Sequence, residues 1–139
     1  MDTECKRYYT YYPLCVADLP PRAQKFIDIM KIDISNLDIE LVKTNKEGLC
    51  AEGFIENANG FYSRKICTIF LIGKIRTRTC IHELSRHHFY NLSYPSLTLT
   101  PEGETLCEML SIYGTRGQFN KIEEIRKILA GEENGKRDL

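Results

Sequence analysis

The chain has 139 residues, 42% hydrophobic and 27% charged, and its 19 basic side chains are balanced by 19 acidic ones. That length suits one domain with a single core, and zero net charge leaves no global field to recruit nucleic acid or an anionic membrane. No apolar run reaches the roughly 18 residues that span a bilayer, and the N-terminal MDTECKRYYTYY lacks the apolar core of a signal peptide, so a cytoplasmic protein with no membrane partner is expected.

In chain order, KRYYTYYPL comes first and sets Tyr8, Tyr9, Tyr11 and Tyr12 beside Lys6 and Arg7. Such a composition is enriched at interfaces and on base-stacking surfaces, and it equally suits an N-terminal arm whose rings pack over a core while the hydroxyls stay wet. Prolines follow at Pro13, Pro20 and Pro21. Ala23, Phe26, Ile27 and Met30 fall at helical spacing and predict a helix from about Arg22 to Lys31. NLDIELVKT alternates Leu37, Ile39, Leu41 against Asp38, Glu40, Val42, the pattern of a half-buried strand. GLCAEGFIEN reads as a second strand, Asn59-Gly60 as a hairpin turn because both residues accept positive φ, and GFYSRKICTIFLIGK as a third strand ending in the apolar run Cys67 to Gly73.

A helix should start near Arg76 or Thr77 and carry IHELSRHHFY to about Asn91, with Ser93, Tyr94 and Pro95 ending it. Thr100 then looks like an N-cap, Pro101 like the first helical residue, and Glu102 and Glu104 like first-turn acids, with Gly114 as the stop. FNKIEEIRKILAG makes a last amphipathic helix on Ile122, Ile125, Ile128 and Leu129, closed by Gly131. The expectation is one globular domain over 1–131, a disordered tail over 132–139, and an α+β fold in which a small antiparallel sheet of about three strands packs with about four helices.

Six cysteines (Cys5, Cys15, Cys50, Cys67, Cys80, Cys107) form no CxxC pair, which argues against a zinc ribbon or a dithiol redox motif and for reduced thiols. Cys80 precedes His82 by two residues, but on a helix those side chains diverge. No phosphate-cradling glycine loop or nucleophile elbow is present.

IHELSRHHFY carries the most chemistry. In HExxH, histidines at i and i+4 face one zinc ion and the glutamate acts as general base on its bound water. Here His82 and Glu83 open the pattern, Arg86 stands where the second histidine belongs, and His87 and His88 follow. A third ligand on a second helix some twenty residues on would be Glu104 or Glu108. The run TIFLIG, then RTRTCIHELSRHHFYNLSYPSLTLTPEGETLCEML, resembles the core of zincin metallopeptidases and most of all the DA1-like peptidase family. The counterparts are Gly73, His82, Glu83, Tyr94, Pro95, Leu97, Glu102 or Glu104, and Cys107. The likeness covers about a third of the chain. It implies a minimal zincin fold, a zinc cofactor held by His82 and Glu104, with His87 as the rearranged third ligand, Glu83 as the catalytic base, and a peptide or protein as substrate or partner.

Arg86 departs from that pattern, since a permanent guanidinium cation has no lone pair for zinc. His87 lies about 140° round an ideal helix from His82 and would join the same ion only through a wider turn such as a π-bulge. Two outcomes follow: a peptidase with a rearranged site, or an inactive relative in which Arg86 takes the metal's place and pairs with Glu83 or Glu104. A rival reading treats SLTLTPEGETLCEML as similar to the wing strand and following helix of winged-helix domains, with Arg76, Arg78, Arg86, His87 and His88 on a DNA-recognition helix open to solvent. A non-catalytic interaction module using the tyrosine segment is the third.

Overall fold

The computed structural model describes residues 9–44, 59–91, 94 and 97–138. Its first element is a strand, β1 (Tyr9–Leu14), where the sequence suggests an aromatic arm. Tyrosine favours the pleated surface of a sheet, and Pro13, which has no N–H to donate, is tolerated because β1 lies at the sheet edge. Helix α1 (Pro21–Met30) begins with Pro21, which needs no N–H partner there, and ends at Lys31 in the left-handed conformation, φ 55°. Its buried side chains are Ala23, Phe26, Ile27 and Met30, the expected stripe.

Among the described residues, strands β2 (Asp38–Thr44), β3 (Gly60–Ser63) and β4 (Thr68–Ile72) complete a four-stranded sheet in the order β1-β2-β4-β3. The fold is α+β, but the sheet is mixed where a three-stranded antiparallel one is expected. β1 and β3 pair antiparallel at the two edges, while β2 and β4 run parallel in the centre. The expected third strand is broken in two by a turn over 64–67, closed by Cys67 at φ 51°. That turn contains no glycine, asparagine or proline, which is why the pattern hides it. Gly60 opens β3 without positive φ, so Asn59-Gly60 is not a tight turn with positive φ at both residues. The strand expected over 48–57 lies outside the described residues.

Alternation divides the sheet's side chains between two faces. Ile39, Ile69, Leu71 and Tyr62 join the main core beneath the helices. Val42, expected on the polar side, is buried with Tyr9 on the opposite face, packed by Phe70 and Ile72. β4 is therefore apolar on both sides, as its unbroken run implies.

Three helices follow: α2 (Thr77–Asn91), α3 (Pro101–Thr115) and α4 (Phe119–Asp138). Thr100 caps α3 by accepting from the Gly103 amide at 3.1 Å, with Pro101 in the first turn. Gly114 does not stop α3. It sits buried inside the helix, where a Cβ would come within 2.4 Å of Ile81 Cδ1, so its missing side chain serves close packing of α2 on α3. The chain turns only at Gly117, φ 74°. Gly131 likewise lies within α4, whose helical backbone continues to Asp138 across most of the segment expected as a tail. Ile122 and Leu129 are buried there and Ile125 packs against them, but Ile128 is exposed.

Candidate functional site

Helix α2 is the most enclosed helix, packed on α3 and also on α1, β3 and β4. Residues Glu83, Arg86 and Tyr90 stand at i, i+3 and i+7 and so share one face. That face meets the first turn of α3, where the Thr100 cap and Pro101 fix the start of the helix and so the direction of Glu104.

His82, Glu83 and Glu104 converge, and Arg86 lies at their centre. Its Nε and Nη2 donate to the two oxygens of Glu104 at 3.0 and 2.7 Å, a fork-to-carboxylate pair. Its Nη1 donates to Glu83 Oε1 at 3.1 Å. The other Glu83 oxygen lies 3.4 Å from His82 Nδ1. Across the ring, His82 Nε2 lies 3.5 Å from Glu108 Oε2 and 3.9 Å from Glu104 Oε2. The Tyr90 hydroxyl donates to Glu104, and Arg78 closes the rim by pairing with Glu108. The cluster borders a cleft of about 460 Å³ lined also by Asn59 and Gly60 at the start of β3, by Arg76 just before α2 and by Thr79 on α2.

The electrostatics follow from this geometry. Burial works against the charge on Arg86, but the Glu104 hydrogen bonds and the charges of Glu83 and Glu104 outweigh it and hold the guanidinium well above its ordinary range. Glu104 resists its own desolvation for the same reason: the Arg86 and Tyr90 hydrogen bonds lower its carboxyl below the usual value. Tyr90 is pushed up, first by burial and then by its bond to Glu104. Glu83, 3% exposed, is a buried carboxylate whose compensating cation is Arg86.

His87 is not part of this cluster. Helix α2 is α-helical throughout, with no wider turn, so the imidazole stays on another face. There its Nε2 meets the Asp33 carbonyl at 2.7 Å and its Nδ1 the Tyr62 hydroxyl at 3.0 Å. His88 is buried against Phe89 and Tyr94. The donor set for zinc is therefore incomplete. Among the described residues no group of three or more His, Cys, Asp or Glu is arranged to hold a metal ion, and both carboxylates a zinc peptidase would use are engaged by a fixed cation. The residues present do not fit zinc.

Two of these partners escape a motif search. Tyr90 is signalled only by its helical phase with Glu83 and Arg86, and Arg78 only by its reach across to α3. Cys80 and Cys107 are buried, which pushes both thiols up to about 12, the state of inert core cysteines. Comparison with known protein families, with curated proteins and with solved structures finds no match to this chain.

Proposed function

We propose that the chain is a non-catalytic relative of the zincin peptidases, in which Arg86 stands in for the metal cation and the remaining cleft binds a peptide or protein segment without cleaving it. The observation that carries this reading is the guanidinium of Arg86 bridging Glu83 and Glu104. A general base must be free to take a proton from water, and Glu83 is instead spent on balancing a neighbouring charge. A cytoplasmic setting belongs to the same reading, supported by four free cysteines among the described residues and by the absence there of any helix long and apolar enough to cross a membrane.

The winged-helix alternative needs a recognition helix open to solvent. With Ser85, His87, His88, Phe89 and Tyr90 all buried, α2 offers little surface to a DNA groove. Tyr11 and Tyr12, about half exposed on β1, favour the interaction-module reading, which is compatible with a non-catalytic cleft.

Elemental analysis of the purified protein, paired with hydrolysis of an unstructured protein substrate, tests the proposal. It expects no stoichiometric metal and no cleavage above a Glu83→Gln control. Near-stoichiometric zinc that disappears in His82→Ala, or cleavage that disappears in Glu83→Gln, overturns it.

A further inference from the structure

Away from the cleft, the fold gathers a second set of reactive side chains that no sequence motif links. Cys67 closes the β3–β4 turn in the left-handed region, φ 51°, a conformation a non-glycine residue adopts only when its surroundings hold it there. Its Sγ lies 3.7 Å from His87 Nδ1, and the Tyr62 hydroxyl lies 3.0 Å from that nitrogen and 3.8 Å from the sulfur. The opposite ring nitrogen, Nε2, faces the Asp33 carbonyl at 2.7 Å. A carbonyl only accepts, so Nε2 donates to Asp33; a bare Nδ1 then accepts from the Tyr62 hydroxyl at 3.0 Å with the Cys67 thiol beside it at 3.7 Å.

A nucleophile, a base within reach and a third group that orients the base are the parts that activate a thiol. We propose that Cys67 is a reactive thiol, a site of covalent modification by small disulfides, with His87 as proton acceptor and Tyr62 as hydrogen-bond donor to the sulfur. This assignment is independent of the proposed function. In the step, His87 Nδ1 takes the thiol proton while the Cys67 sulfur attacks one sulfur of the disulfide. A new S–S bond forms as the old one breaks, and the departing thiolate takes the proton from the imidazolium and leaves as a thiol. Once Nδ1 holds the proton it no longer accepts from Tyr62, so the sulfur that develops negative charge meets two donors, the released Tyr62 hydroxyl and the Nδ1–H, while Nε2–H keeps its bond to Asp33. The protein's other described cysteines lack this setting: Cys80 and Cys107 are buried, and Cys15 is exposed with its sulfur 3.2 Å from the Asp18 carboxylate.

The test uses the full chain and oxidised glutathione at neutral pH, with mixed disulfides quantified for each cysteine by peptide mass spectrometry. Cys67, although less exposed than Cys15, is expected to react at least about tenfold faster, a conservative share of what a positioned base supplies. His87→Gln should bring Cys67 down to the Cys15 rate or below while leaving Cys15 itself unchanged. Tyr62→Phe, which keeps the ring and removes the hydroxyl, should slow Cys67 several-fold. If His87→Gln unfolds, seen as new reactivity at Cys80 and Cys107, the Tyr62→Phe result decides: slower supports the proposal, unchanged overturns it. A wild-type Cys67 no faster than Cys15 also overturns it.

Discussion

Arg86 determines what the carboxylates around it can do. Its pairing with Glu83 and Glu104 is legible in the sequence, because i+3 spacing brings Glu83 and Arg86 together and the Thr100-Pro101 start fixes the phase of Glu104. The fate of the two following histidines is not, since which face of a helix is buried depends on what packs against it. His88 makes the point in energetic form. It is 5% exposed, its Nδ1 has no hydrogen-bond partner among the described residues, and burial, with a smaller contribution from His87, pushes it down to about 4. Above about pH 6.5 the imidazole is neutral in both folded and unfolded chains and contributes no pH dependence. Below it the unfolded chain takes up a proton that the folded chain refuses until about pH 4, so stability falls with pH through that window. Between pH 7 and pH 5 the loss from this residue should be about 2 kcal/mol. Urea unfolding at the two values should show it in the wild type and show it reduced by that amount in His88→Met; an equal loss in both would place the acid sensitivity elsewhere.

Among the elements, α3 is seated by two glycines whose roles differ, Gly103 against the segment that leads into α3 and Gly114 against α2. A Cβ on Gly103 would fall 1.9 Å from the Leu97 carbonyl oxygen, an obstacle of backbone, whereas one on Gly114 would meet the tip of the Ile81 side chain at 2.4 Å. An alanine gains up to about 1 kcal/mol of helix propensity at either position, against an overpacking cost of typically 1 to 3 kcal/mol, approximately. Since Ile81 can turn and the Leu97 backbone must move, Gly103→Ala should destabilise by about 2 kcal/mol and Gly114→Ala by about 1 kcal/mol or less. Denaturant midpoints of the two variants check the order, and a reversed order would contradict the packing described. Gly114 also explains a misreading of the sequence. Glycine is a helix stop by local propensity, and only the close approach of Ile81 reveals that this one is a contact residue. The same limit applies to Ile128, which shares the spacing of Ile125 but is left largely exposed, and to the turn over 64–67, which carries no turn residue.

For the whole molecule, fold class and helix placement are local matters and could be read from periodicity and caps, α1, α2 and α3 beginning within a residue of their expected starts, whereas the strand β1 and the break between β3 and β4 could not. Strand partnership is not local. Nothing in NLDIELVKT or CTIFLIG states that the two run parallel, or that YTYYPL completes the sheet beside the first of them. The fold nevertheless delivers the one long-range demand the motif makes, the meeting of α2 and α3 at His82, Glu83 and Glu104, and it delivers it with a guanidinium inside. Replacing that guanidinium by imidazole in Arg86→His would complete HExxH on a backbone already holding Glu104 opposite. Such a site should bind zinc, and a ligand that binds only the folded chain raises its melting temperature. Thermal unfolding with and without excess zinc is therefore the most direct measurement: zinc should leave the wild type unchanged and raise the melting temperature of Arg86→His, whereas a zinc-dependent rise in the wild type, abolished by His82→Ala, would contradict Arg86 as the cation of this site.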